Sequence, residues 1–294
     1  MKPKTLNRDK HTFNDLLYTM PAFLIFVFVM LIPLATTFVA ALTKWNGVGG
    51  SMKFIGFDNF KKIFDPETSS WKALVFSFKF TVVCVILTNL IALLIALVIT
   101  GRMKSPLGGA LRVVYFIPNL VGGLTMGFIW RFIFLRVFSS INLPLFNALW
   151  LATPSTAYWA SVIVFCWKNI GYVCLIYIAS LQNIDTDIME SAMLDGASYL
   201  RVLLNIKIPL IVPAITSSLF LIISRAFKLF DIVFSLTGGG PYGSTISYAY
   251  EIYFEAFQRN NYGLGSAKAV VFFIIVAAVS LLQVYLTKRK EVEL

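Results

Sequence analysis

Residues 189–213 read MESAMLDGASYLRVLLNIKIPLIVP. Long apolar runs lie on both sides, yet this stretch holds Glu190, Asp195, Arg201 and Lys207, is cut by Gly196 and is stopped by Pro209. Charge, a glycine and a proline between two apolar runs describe an elbow outside the membrane joining two helices inside it. The rest of the chain agrees. It is 58% hydrophobic and 13% charged over 294 residues, with a mean hydropathy of +0.80. A soluble domain is about half apolar and a quarter charged, so both departures point to a polytopic membrane protein.

Working outward from the elbow, six runs are long enough to cross the roughly 30 Å hydrocarbon core as helices. They cover about 17–42, 80–100, 113–130, 157–181, 210–235 and 269–287. The first is too long for a cleaved signal, whose apolar part is about 7–15 residues, and is expected to stay as a helix. The expected fold is all-α: residues 1–15 form a tail, residues 16–294 form one transmembrane domain, and residues 182–209 form the elbow loop. The net charge of +11 raises a nucleic-acid reading, but the basic residues sit scattered at span ends rather than on one face. That scatter is topology. Lys2, Lys4, Arg8 and Lys10, then Arg102, Lys104 and Arg112, then Lys288, Arg289 and Lys290 fall on one side of a six-span chain, with the elbow. Lys and Arg in short loops mark the cytoplasm, so both termini and the elbow are expected inside. The loop from Lys44 to Lys72 has five lysines on the opposite side, offset by Asp58, Asp65 and Glu67.

Within the elbow, the spacing predicts two short helices with a hinge. Asp187 and Glu190 have capping-box spacing, and Gly196 stands where a left-handed helix end wants glycine. A second helix follows from about Ser198 to Asn205, and Pro209 and Pro213 mark entry into the fifth span. By its residues alone this is equally an ordinary solvated loop. The order of residues adds more. Glu190-Ser191-Ala192, then Asp195-Gly196-Ala197, then nine residues from the glycine to Ile206-x-Ile208-Pro209, resembles the E-A-A loop of ABC-importer permeases. Ser191 and Ile208 replace the usual Ala and Leu, and Asp185 stands where proline is usual. FIGFDNF (54–60), FKLFD (227–231) and TGGGP (237–241) extend the resemblance to the sugar-importer branch, of the maltose and glycerol-phosphate first-permease type, over nearly the whole chain.

The resemblance implies the type I ABC-importer permease fold in a bacterial plasma membrane. It implies that Glu190, Ser191, Ala192, Asp195, Gly196 and Ala197 dock on a cytoplasmic ATPase. It also implies a second homologous permease, two ATPase subunits, an extracellular or periplasmic sugar-binding protein, and a sugar as substrate. No nucleic-acid partner, cofactor, metal or catalytic residue is expected. The sequence holds no G-x-x-x-x-G-K-[ST], one histidine (His11), and cysteines only inside apolar runs (Cys84, Cys166, Cys174).

Ionisable groups inside spans point to function. Lys168 lies in the fourth span between Trp167 and Asn169, with Tyr172 one turn on. Aromatic rings beside amides suit the flat C–H faces and hydroxyls of sugars. By resemblance, Trp167, Asn169 and Tyr172 fall where maltose-type permeases line their cavity, and the facing positions Ile222, Ala226 and Leu229 of the fifth span are apolar. Arg225, Lys228 and Asp231 recur every third residue, with Lys228–Asp231 the expected pair. If Arg225 faces the cavity, an acidic or phosphorylated sugar becomes the alternative substrate. A polytopic enzyme would need an acid/base or metal cluster, and a secondary transporter would need inverted repeats and midplane carboxylates; neither pattern is evident.

Overall fold

The computed structural model describes residues 8–49, 52–65, 68–101, 106–141 and 149–288. Lys2, Lys4, Glu67, Arg102, Lys104, Arg289 and Lys290, used above for topology, lie outside them. The described chain is helical except for one two-residue antiparallel ladder. Contacts divide it into two compact units, Met1–Ile63 with Glu255–Val271, and Phe64–Phe254 with Phe272–Leu294.

In the first unit, α1 (Arg8–Phe26) runs through one wide π-type turn, Val27–Leu31, into α2 (Ile32–Ala41). Pro33 has no N–H to donate, and the wide turn immediately precedes it. The carbonyls at the end of α2 are not left bare. The Asn59 side chain, on α3 (Asp58–Ile63), donates to both Ala41 O and Thr43 O at 2.9 Å. Between these helices, β1 (Thr43–Lys44) pairs with β2 (Lys53–Phe54), with Thr43 opposite Phe54 and Lys44 opposite Lys53. Gly263 N–H donates to Trp45 O at 3.0 Å, and the Trp45 and Tyr262 rings meet at 5.6 Å. A Cβ at Gly263 would stand 2.1 Å from Thr43 O, so glycine permits this approach. Glu255 is buried and accepts from Lys268 at 2.8 Å, Arg259 at 2.7 Å and the Asn261 side chain at 3.0 Å.

In the second unit, α4 (Ser69–Thr100) starts eleven residues ahead of the apolar run at 80–100. α5 (Pro106–Leu120) and α6 (Gly123–Phe132) meet at a sharp break, α6 running on through a wide turn to Val137. α7 (Pro154–Gln182) packs on α4 and α5. Then come α8 (Thr186–Leu194), α9 (Tyr199–Val202), α10 (Ile208–Leu210) and α11 (Val212–Phe227). α12 (Tyr248–Tyr253) is capped by Ser247, whose hydroxyl accepts from Tyr250 N–H. α13 (Tyr262–Lys288) closes the chain. Among the described residues, four helices qualify as membrane spans by length and apolarity, Leu17–Ala41, Ser69–Thr100, Pro154–Gln182 and Tyr262–Lys288. Two bent pairs, Gly109–Leu120 with Gly123–Val137 (99°) and Tyr199–Leu210 with Val212–Phe227 (67°), bring the number to six if each counts as one. The breaks follow from sequence: Pro118 precedes Gly122 and Gly123, and Pro209 and Pro213 bracket Ile211, removing helix donors at each site.

Membrane helices associate through close backbone approach and polar links. A Cβ at Gly171 would stand 1.8 Å from Tyr115 O, which sets how near α7 lies to α5. Asn89, Tyr177 and Ser218 join α4, α7 and α11 in one triangle: Tyr177 and Ser218 hydroxyls reach Asn89 Oδ1 at 2.6 and 2.7 Å and each other at 2.7 Å.

Burial raises the Glu255 carboxyl, but the hydrogen bonds and charges of Lys268 and Arg259 outweigh it and hold the group below the usual glutamate range. Its stabilising contribution is therefore complete above the unfolded carboxyl value, near 4.3, and is lost as pH falls through the lower native value. Glu255→Gln takes from the buried Lys268 the carboxylate that lies 2.8 Å away. It should cost about 3–5 kcal/mol, and the cost should shrink below pH 4 in thermal melts of the detergent-solubilised protein.

Candidate functional site

Two regions carry the functional residues. The first is the elbow. α8 begins at Asp185, whose carboxylate accepts from Asp187 N–H at 3.0 Å. The cap is thus two residues earlier than the Asp187–Glu190 spacing suggests, because the residue standing in for the usual proline brings its own acceptor. α8 ends in a Schellman turn: Ala197 N–H donates to Ala192 O and Gly196 N–H to Met193 O, both at 3.0 Å, with Gly196 at φ +78°. Ser198 caps α9 by accepting from Arg201 N–H. From Tyr199 the helix runs unbroken to Leu210, through a wide turn at Leu203–Lys207. Glu190, Ser191, Asp195 and Gly196 are exposed, and Ala192 and Ala197 are half-buried. Leu194 is 89% exposed and Met193 52%. The elbow is an open, well-capped helix with apolar side chains uncovered by the chain itself.

The second region is a cavity of about 330 Å³ at two helix breaks. Lys168 and Asn169 reach it from α7, Arg225 from the end of α11, and Lys228, Leu229 and Asp231 from the segment that follows. α11 stops at Phe227 and helical backbone resumes at Asp231. The three-residue stripe is therefore interrupted, and among the described residues Lys228 and Asp231 form no ion pair within 4 Å. Arg225 is held twice: its guanidinium donates to Asn169 Oδ1 at 2.8 Å and lies over the Tyr172 ring at 4.8 Å. Asp231 and Arg225 both act electrostatically on Lys168.

Of the residues singled out above, Lys168, Asn169, Arg225, Lys228, Leu229 and Asp231 line the cavity together. Trp167 packs edge-on against Trp130 at 5.4 Å, Tyr172 lies beneath Arg225, and Ala226 is buried in the core; none of the three forms the wall. Asn119, Gly123 and Phe230 line it without having been singled out. Asn119 donates to Lys168 O at 3.3 Å. Gly123 opens α6, so the Asp231 carboxylate lies at the positive end of that helix. The PNLVGG run at 118–123, a proline followed by two glycines inside an apolar span, was the available signal. Phe230 leans on Phe234, Tyr250 and Tyr253, which flank it at 5.2–6.1 Å.

Bent and interrupted membrane helices around a polar cavity, with an open capped elbow at one end of a span, define a subunit of a membrane transport system. The chain belongs to the family of binding-protein-dependent transport system inner membrane components, whose profile matches residues 88–292. It is 40% identical over 281 residues to the probable starch degradation products transport system permease protein of Thermoanaerobacterium thermosulfurigenes, covering 95% of each chain. It is 29% identical to the trehalose/maltose transport system permease protein of Thermococcus litoralis, over 88% of each. The fold is that of a solved bacterial ABC transporter involved in the import of the acidic polysaccharide alginate, with a TM-score of 0.81 at 20% identity over 96% of this chain and 98% of that one. The expected type I permease fold is the observed one.

A Cβ at Gly123 would stand 2.5 Å from Asp231 Oδ2 and 2.6 Å from Asp231 Cβ. Gly123→Ala should therefore destabilise by about 1–3 kcal/mol. Adding Asp231→Gly should recover part of that loss, a non-additivity readable in paired thermal melts.

Proposed function

We propose that this chain is one of two homologous permeases in an ATP-driven, binding-protein-dependent importer of oligosaccharides. The elbow carries this reading: a rigidly capped helix with exposed Leu194 and Met193, continued by an unbroken helix from Tyr199 to Leu210 into the fifth span. A lever that transmits force needs both stiffness and an uncovered grip. One of two cytoplasmic ATPases would grip Glu190–Ala197, and the closing of the pair over ATP would rock the third to sixth spans from inward-open to outward-open. Both termini and the elbow would then lie in the cytoplasm, as the basic loops suggest. The binding protein would release sugar from the far side into a path that includes Lys168, Asn169, Arg225 and Leu229, with Trp167, Tyr172 and Ala226 behind them. ATP hydrolysis belongs to the partner subunits, and transport needs the whole assembly. The starch-product and trehalose/maltose relatives support a neutral oligosaccharide as substrate.

Gly196 tests the lever. No atom lies within 4 Å of a Cβ built there, so any replacement pays only for the left-handed backbone, about 1–2 kcal/mol, within this chain. Gly196→Asn, which tolerates that backbone, should keep uptake coupled to ATP hydrolysis. Gly196→Ala and Gly196→Trp should melt alike, while Gly196→Trp alone loses most uptake and leaves ATPase activity running. The comparison uses the importer reconstituted in liposomes.

An acidic sugar or glycerol-phosphate substrate is the second reading, favoured by three cations, Lys168, Arg225 and Lys228, against one acid, Asp231, around the cavity. Competition for uptake separates the two. Excess neutral gluco-oligosaccharide should abolish uptake of its labelled form, and an equal concentration of a uronate oligosaccharide or glycerol phosphate should leave it above about half.

A further inference from the structure

In the first unit, a cleft of about 570 Å³ is lined by Lys44, Lys53 and Arg259 with the amides of Asn46, Asn260 and Asn261. Lys44 and Lys53 are direct partners across the β1–β2 ladder, so both side chains project from the same face. Like charges in that position destabilise a ladder, and among the described residues neither lysine has an ion-pair partner. Among the described residues, no carboxylate lines the cleft. Arg259 lines it as well, anchored by Glu255 at 2.7 Å, and its side chain stays 45% exposed. Asn260 adopts φ +50°, a left-handed conformation that asparagine tolerates. A repelling lysine pair, a third cation and three amides form a surface that is relieved when an anion sits among them.

The position of the cleft says which anion. Lys44 follows the last residue of the first span by three positions, and Asn260 and Asn261 immediately precede Tyr262, the first residue of α13. The cleft therefore lies at one end of two membrane helices, at headgroup depth. Trp45 also lines it and meets Tyr262, an aromatic pair of the kind that anchors helices at that depth. No residue in the apolar window of the first span is buried within the chain, so nothing described in this chain screens that edge from lipid.

We propose that this cleft binds the phosphate headgroup of an anionic phospholipid. Lys44 and Lys53 bracket the phosphodiester, Arg259 backs it, the asparagine amides donate to its remaining oxygens, and the acyl chains run along the first span. The bound lipid removes the cross-strand repulsion and ties the loop after the first span to the segment before α13.

Native mass spectrometry of the intact importer, delipidated in neutral detergent and titrated with phosphatidylglycerol or phosphatidylcholine, tests this. The wild-type assembly should prefer phosphatidylglycerol by at least about 10-fold, and Lys44→Gln with Lys53→Gln should lower that affinity by roughly 5-fold per lysine. Phosphatidylcholine binding should not change. Lys44→Arg with Lys53→Arg should keep the preference, which separates lost charge from lost folding. In lipid-free detergent the glutamine variant should melt no lower than wild type, because repulsion is relieved. The proposal fails if the wild type shows no preference, or if the glutamine variant keeps its affinity. It also fails if inorganic phosphate at matched concentration displaces the lipid, which marks a free-phosphate site. Finally, it fails if the glutamine variant loses capture of the substrate-binding protein while lipid binding is unchanged.

Discussion

Inside a bilayer every peptide N–H and C=O must find a partner within the protein, because lipid supplies none. A membrane helix can therefore be interrupted only where something else takes up the freed groups. This chain bends two spans and stops the helix again between Phe227 and Asp231, where a polar side chain does so: the Ser247 hydroxyl donates to Leu229 O. Beside the break between α5 and α6, the Asn119 amide donates to Lys168 O and ties that break to α7. The α5–α6 break and the gap after α11 open onto the same cavity. The cavity is thus not a gap in packing but a consequence of where the backbone is permitted to stop being helical. Its charged lining follows, since Lys228 and Asp231 sit on the non-helical link and at its restart, with Arg225 one turn before it.

The same constraint explains what could be read from residues alone. The apolar helices and the turn that ends α8 were legible because apolar length and turn chemistry are local properties. Gly196 announced its left-handed turn, and the structure completes the Schellman pair around it. FIGFDNF and the glycine run at 237–241 marked segments outside the spans. Local reading failed where the answer depends on a partner far away in sequence. Asn59 clamps carbonyls 16 and 18 residues earlier, and nothing in its neighbourhood signals this. The i, i+3 spacing of Lys228 and Asp231 assumed a continuous helix, and α11 ends between Arg225 and Lys228. Trp167 has the chemistry of a sugar platform, yet α7 turns it toward Trp130, while the neighbouring Asn169 faces inward. Helical periodicity alone cannot say which of two adjacent residues faces a cavity until the packing partners of the helix are known.

The elbow and the cavity lie along one continuous path. Gly196 sets the direction of α9, the helix from Tyr199 to Leu210 carries it to the bend at Ile211, and α11 carries it on to Arg225. At Ser218, two turns before Arg225, the path is tied to α4 and α7 by the Asn89–Tyr177–Ser218 triangle. Two hydroxyl protons shared among three short polar contacts in a low-dielectric interior hold that point more firmly than apolar contact would. A segment tied near its middle by polar contacts pivots more readily than it slides. In the proposed mechanism, displacement of Glu190–Ala197 by the ATPases therefore swings the far end of α11, where Arg225 grips Asn169 and overlies Tyr172. The cavity wall on the fifth span would then move against the wall on α7, and the Arg225–Asn169 hydrogen bond, which among the described residues joins the two walls through polar atoms in the cavity, would have to give way. Arg225 would serve sugar recognition in one state and hold the cavity closed in the other. This accounts for a cation, costly to keep at that depth, lying beside positions that are otherwise apolar.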